Sequence, residues 1–146
     1  MDGVSTTEHP PVRALLLDAD GVVQCPSAGW IKQMDLVSGT PNFFQVLSAA
    51  ERLTIAGKAD LAELVDEIIR ERGLDVTFEQ LLEIWCRIEV DPITVKLVRQ
   101  AREAGLVTAL ATNQQRYRGS YMQETFGYEE LFDRTFYSYE LGLAKP

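Results

Sequence analysis

One histidine, two cysteines and no unbroken apolar run longer than Ala14-Leu15-Leu16-Leu17 are what this 146-residue chain offers. Cys25 and Cys86 form neither a disulfide framework nor a metal-ligand spacing. A membrane span needs about 20 apolar residues and a signal-peptide core about 7–15, so neither is expected. That reading makes the cytoplasm the default location. Basic residues are also in deficit: 14 Lys and Arg stand against 22 Asp and Glu, a net charge of −8 with the signs mixed along the chain. A polyanion partner needs a basic stripe to displace its counterions, so nucleic acid is excluded as an expected partner. A small phosphate ester stays compatible, provided a cation or backbone amides neutralise it locally. The sequence has no internal repeat and no low-complexity tract.

What is present is an ordinary globular composition, 46% hydrophobic and 25% charged. The length suits one domain with a substantial core. Residues Met1 to Pro11 are polar and proline-ended and read as a mobile arm. Val12 to Leu17 is apolar without alternation, the pattern of a strand buried on both faces. It runs into Asp18-Ala19-Asp20-Gly21, a turn at the carboxyl end of that strand.

From Gly29 to Val90 the pattern is helical, with no strand expected. Thr40-Pro41 reads as a helix start. Leu61, Leu64, Val65, Ile68 and Ile69 form an amphipathic stripe closed by Gly73, and Thr77 with Gln80 suits a capping box before Phe78, Leu81, Leu82 and Trp85. The block carries eleven acids against six bases. Asp91-Pro92 opens a further helix ending at Gly105. Leu106 to Ala111 is a second buried strand ending in Thr112-Asn113, Gln115 to Phe126 is helical, and Arg134 to Tyr139 is a third, more exposed strand. Strands alternating with helices imply right-handed parallel crossovers. The expected fold is therefore α/β, a Rossmann-like parallel-sheet core of residues 12–24 and 92–146 with a helical unit, 25–91, inserted after the first strand.

In open parallel sheets ligands sit beyond the carboxyl ends of the strands. Asp18, Asp20, Thr112 and Asn113 all fall there. Two carboxylates two residues apart can act as nucleophile and proton donor or bind Mg²⁺. A hydroxyl and backbone amides at Thr112-Asn113 can hold phosphoryl oxygens, and Lys145 can supply charge to a developing oxyanion.

In order and context, Asp18-Ala19-Asp20-Gly21-Val22-Val23 resembles the first motif of the haloacid dehalogenase (HAD) superfamily. Leu110-Ala111-Thr112-Asn113 is similar to its second motif, Gly142-Leu143-Ala144-Lys145-Pro146 to its third, and the helical insert to its type-1 cap. The resemblance implies a phosphatase-like hydrolase acting on a small phosphorylated metabolite. Asp18 would attack phosphorus to give an aspartyl-phosphate, and Asp20 would act as general acid and then base. Mg²⁺ would be held by the Asp18 carboxylate and the Asp20 backbone carbonyl. Thr112 and Asn113 would position the phosphoryl oxygens, Lys145 would neutralise charge beside Asp18, and Gly21 would permit the tight turn. The same scaffold leaves two alternatives open: a 2-haloacid dehalogenase, in which Asp18 attacks carbon without a metal, and a non-catalytic binding module. The acidic pair of the superfamily's fourth motif has no counterpart up to Pro146. The expectation is a truncated chain whose Val12–Leu17 strand has an open apolar edge suited to self-association.

Other residues have plainer readings. His9 is incidental, Lys58 a surface lysine, Cys25 a packed or oxidisable thiol, and Trp30 either pocket wall or packing. Phe78 and Trp85 suit a helical core. Arg116 and Arg118 are expected on a solvated helix face.

Overall fold

The computed structural model describes residues 11–146, so His9 and nearly all of the expected arm lie outside the described residues. Three strands, β1 (Ala14–Leu17), β4 (Val107–Thr112) and β5 (Arg134–Tyr137), form a parallel sheet in the order β1-β4-β5. Between β1 and β4 the chain makes β2 (Gln24–Pro26), the helices α1 (Trp30–Ser38), α2 (Phe43–Arg52), α3 (Leu61–Arg72) and α4 (Phe78–Trp85), strand β3 (Ile88–Val90) and helix α5 (Pro92–Glu103). Beyond β4, α6 (Arg116–Phe126) and α7 (Tyr128–Leu131) lead to β5, and α8 (Ser138–Leu141) follows it. No described helix is long and apolar enough to cross a membrane.

Two hydrophobic clusters divide the chain. One joins Met34, Phe43, Leu47, Leu61, Val65, Phe78, Leu81 and Trp85 within α1 to α4. Trp30 packs there too, its ring 4.5 Å from that of Phe44. The other gathers Ala19, Val23, Val98, Leu110, Met122, Tyr128, Phe132 and Tyr137 around the sheet. β2 and β3 pair antiparallel to make the stem between them. No strand was expected in the Gly29–Val90 block. β3 is only three residues long and takes its hydrogen bonds from a partner more than sixty positions away, so local periodicity cannot reveal it.

Local signals explain most helix ends. Asp91 caps α5 with proline at the first position, Thr77 and Gln80 make the reciprocal capping box of α4, and α3 ends on Gly73 in the left-handed region. The start of α2 differs from expectation. Thr40 does not cap it; Asn42 takes φ 58° and the helix begins at Phe43. The Asp35 carboxylate, arriving from α1, accepts the Asn42 and Phe43 amides at 2.9 Å each. A tertiary cap has displaced the local one.

β1 is not buried on both faces. It pairs only with β4 among the described residues, and its exposure alternates, Leu16 standing 64% exposed while Leu17 packs into the sheet cluster. A parallel strand is buried twice only when helices cover both faces, and no described element covers the Leu16 side. The third strand is shorter than expected, ending at Tyr137 because α8 begins at Ser138. Replacing Asp35 by Ala removes the cap of α2 and is expected to cost about 1 kcal/mol in urea unfolding; an unchanged midpoint would mean that the Asn42 and Phe43 amides are satisfied otherwise.

Candidate active site

The parallel register brings three chain segments to one end of the sheet. Leu17 pairs with Leu110 and Thr112 with Tyr137, so Asp18, Asn113 and the turn after β5 emerge side by side. Past Asp18 the chain reverses in a tight loop, with the Val22, Val23 and Gln24 amides converging on the Ala19 carbonyl at 3.2, 2.9 and 3.0 Å. Gly21 sits in this loop at φ 78°, a conformation that side chains with a Cβ rarely adopt.

Asp18 is half-exposed. Its Oδ1 accepts the Ala19 amide at 2.7 Å, and its Oδ2 pairs with Lys145 Nζ at 3.0 Å. Lys145 is held from three directions: Nζ also donates to the Ala111 carbonyl at 2.7 Å, and the Asn113 side chain accepts the Lys145 amide at 2.8 Å and donates to the Lys145 carbonyl at 3.0 Å. Asn113 thus fixes the third segment onto the second. A carboxylate and an ammonium separated by 127 positions in sequence meet at the mouth of the sheet. This is a half-exposed carboxylate beside a fixed positive charge.

Asp20 is placed differently. Its Oδ1 accepts Gln24 Nε2 at 2.9 Å and Arg118 Nη2 at 2.7 Å; its Oδ2 accepts Gln114 Nε2 at 2.7 Å and Arg118 Nη1 at 2.6 Å. These four bonds take up roughly the four lone-pair directions a carboxylate has. Solvent still reaches 42% of the side chain. Desolvation opposes the charge, but the Arg118 hydrogen bonds and charge, with those from Gln24 and Gln114, outweigh it and hold Asp20 below the usual carboxylate range. In this arrangement Asp20 is ionised and carries no proton to give.

Arg118 corrects the expectation of a solvated helix face: it is 3% exposed. Its place near the start of α6, capped by the Gln115 side chain, turns it inward toward Asp20. Gln24 and Gln114 were likewise not singled out, although each is a polar side chain beside a strand end, and both are fully buried. Tyr128 supports the set by donating to Gln24 Oε1 at 2.8 Å. Thr112 is 3% exposed and its Oγ1 accepts Gln114 Nε2 at 3.1 Å, so here it orders the glutamine that binds Asp20.

The helical cluster meets the sheet unit along the first turn of α6. Arg116 Nη2 pairs with Asp60 Oδ2 at 2.5 Å, the Tyr117 hydroxyl donates to Asp60 Oδ1 at 2.8 Å, and the Tyr117 ring packs edge-on to Phe78. Arg116, like Arg118, is therefore engaged, though its side chain stays exposed. Lys58 lines a cleft of about 370 Å³ along this seam with Asp60, Arg116, Tyr117 and Tyr139. Gly57 lies there at φ 68°, where a Cβ would run into the Tyr139 carbonyl. Cys25 is exposed and Cys86 buried.

No three His, Cys, Asp or Glu side chains gather into a metal cluster among the described residues. The Asp18 carboxylate is the open oxygen donor there, the Asp20 carboxylate being occupied by Arg118. A set with so few protein oxygens is compatible with Mg²⁺, which keeps several waters.

No protein-family model matches this chain, and no curated protein does either. Solved structures do. The HAD family enzyme BT-2542 of Bacteroides thetaiotaomicron, in a magnesium complex, superposes with a TM-score of 0.76 over 92% of this chain and 72% of its own, at 22% identity. The same enzyme has been solved with magnesium and inorganic phosphate, with a TM-score of 0.72. A predicted HAD-like family hydrolase from Porphyromonas gingivalis matches with a TM-score of 0.72 over 92% of this chain and 70% of that one, at 16% identity. The L-2-haloacid dehalogenase RSc1362 matches at 0.61 over 93% and 68%, also at 16% identity. This chain therefore has the HAD fold, the α/β architecture of these enzymes.

A further acid faces the Asp20–Arg118 pair from α2. Burial pushes the Glu51 carboxyl up to about 7, opposed by the Arg118 charge and reinforced by that of Asp20. The folded state thus keeps the proton to about pH 7 while the unfolded chain releases it near 4.5. Stability is therefore highest below that window and falls as pH rises through it. Glu51→Gln should leave stability unchanged below pH 4.5 and raise it by roughly 3 kcal/mol at pH 8. Urea melts of both proteins across pH 4–8 check this, and parallel curves would show that Glu51 titrates normally.

Proposed function

We propose that this chain is a HAD-superfamily hydrolase of the phosphatase type, acting on a small phosphomonoester. The observation that carries the reading is the half-exposed Asp18 carboxylate at a strand end, paired at 3.0 Å with Lys145. In this reading an Asp18 oxygen attacks phosphorus, the bond from phosphorus to the ester oxygen breaks, and an aspartyl-phosphate forms. Lys145 orients Asp18 and offsets charge gathering on the phosphoryl oxygens. The main-chain amide of Asn113 and the hydroxyl of Thr112 are the groups at the second strand end assigned to those oxygens. Asp18 and the Asp20 carbonyl would hold Mg²⁺, which when bound neutralises phosphoryl charge. Asp20, having taken a proton from solvent, then protonates the leaving alkoxide; it afterwards takes the proton of the water that attacks phosphorus, breaks the bond to the Asp18 oxygen and releases inorganic phosphate. To do so its carboxylate must first leave Arg118. The helical unit over the strand ends acts as the cap that selects the substrate.

The rival is displacement of halide from a 2-haloacid by the same Asp18. An ionised, fully bonded Asp20 favours it, since a departing halide needs no proton. Hydrolysis of an aryl phosphate with Mg²⁺ beside EDTA separates the two. Metal-dependent turnover reduced about 10³-fold or more by Asp18→Asn is expected. Haloacid turnover that survives EDTA, or phosphatase activity that survives Asp18→Asn, would overturn the reading.

The open edge of β1 is proposed as the surface for a second copy, because its outer backbone groups lack a strand partner among the described residues and Val12 and Leu16 stand exposed beside it. A dilution series in sedimentation velocity should show a dimer that Leu16→Lys weakens about tenfold; a monomer at every concentration would refute the association.

A further inference from the structure

We propose that Arg118 is a positioning residue through which the helical unit sets the orientation of Asp20. The significance of this coupling rests on Asp20 being the proton donor of the reaction proposed above. Three contacts tie the first turn of α6 to the helical unit, through Arg116, Tyr117 and Arg118. Of these side chains only Arg118 also holds Asp20. Its Nε donates to the Trp85 carbonyl at 3.3 Å, at the carboxyl end of α4, where main-chain oxygens lack helical partners. Its Nη1 and Nη2 hold Asp20, and Nη1 also donates to Gln114 Oε1 at 2.7 Å.

The guanidinium is planar, with its five N–H donors in a rigid fork. A displacement of α4 that draws Nε therefore reorients both N–H groups aimed at Asp20. The side chain is almost wholly enclosed, and no bulk water stands ready to replace a lost partner. Charged or titratable groups near the guanidinium besides Asp20 are Glu51 from α2, Cys86 just past α4 and Tyr128 from α7. Arg118 thus links the position of the helical unit to whether the Asp20 carboxylate is sequestered or free. Gln24 and Gln114 position Asp20 from the sheet side and make no such link.

Coupling of this kind is reciprocal, so altering Asp20 must alter the seam at α4. Cys86, buried and adjacent to Trp85, reports on that seam through its rate of thiol modification. The exposed Cys25 is first removed by Cys25→Ser. In that background, under conditions where circular dichroism shows the fold intact, Asp20→Asn should speed Cys86 modification about fivefold or more. Arg118→Met should do the same, and the double variant should be no faster than Arg118→Met alone. If Arg118→Met does not fold, Arg118→Lys serves, since an ammonium cannot span Asp20 and Trp85 together. An Asp20→Asn rate equal to that of its parent, or additive effects in the double variant, would overturn the proposal.

Turnover supplies a readout that a purely structural role would not move. Arg118→Lys, which loosens the hold on Asp20, should raise kcat for an alkyl phosphate, which needs a proton donor, about tenfold relative to that for a nitrophenyl phosphate, which does not. Equal changes on both would reduce Arg118 to packing and refute the proposal. Absence of turnover in the parent protein would sink the phosphatase reading instead, and the Cys86 rates would still decide the coupling.

Discussion

The Asp20 carboxylate draws four hydrogen bonds from three separate parts of the chain: Gln24 in the first loop, Gln114 at the end of β4, and Arg118 inside α6. Burying a guanidinium is costly unless its donors are paired, and Asp20 supplies the charge that makes the position of Arg118 tolerable. Arg118 in turn ties α6 to the end of α4, and α6 carries every other polar contact described here between the two hydrophobic clusters. The seam between helical unit and sheet is thus organised around one ion pair at the candidate site. Its geometry is that of a bidentate fork, which adds orientation to attraction.

The two carboxylates of the first loop consequently have different characters although only one residue separates them. Asp18 meets the ammonium of Lys145 and keeps an open face. Asp20 meets a rigid guanidinium and two amides and is fully occupied. The site also bears on the apparent conflict between an acidic protein, net −8, and the anionic substrate proposed for it. At the strand ends Lys145 and Arg118 balance the Asp18 and Asp20 carboxylates, so the acid excess of the chain is not concentrated there. Local neutralisation, and not overall charge, decides what the cleft can bind.

Much of the fold was legible locally. The capping box at Thr77, the Asp91-Pro92 start and the glycine stop at Gly73 are contained within a few residues, and each appears where the pattern puts it. The sequence places Asp18, Asp20, Thr112 and Asn113 at or just past strand ends, and the fold brings Lys145 back to Asp18 there. What failed locally depended on distant partners. Asp35 overrides Thr40 as the cap of α2, β3 exists because β2 lies beside it, and the exposure of β1 is set by which elements cover its faces.

By itself the sequence determined the alternation of strands and helices, the helical insert and the residues at the strand ends, since these follow from hydrophobic period, turn chemistry and short motifs. Only the tertiary structure decided which of those residues pair. An arginine at the start of a helix looks solvated when read along the chain, because nothing within four residues demands otherwise. Its burial becomes favourable only when the fold brings a carboxylate 98 positions away within 2.6 Å. Long-range electrostatic partnership has no local signature, and at this site it assigns Asp18 and Asp20 their separate environments.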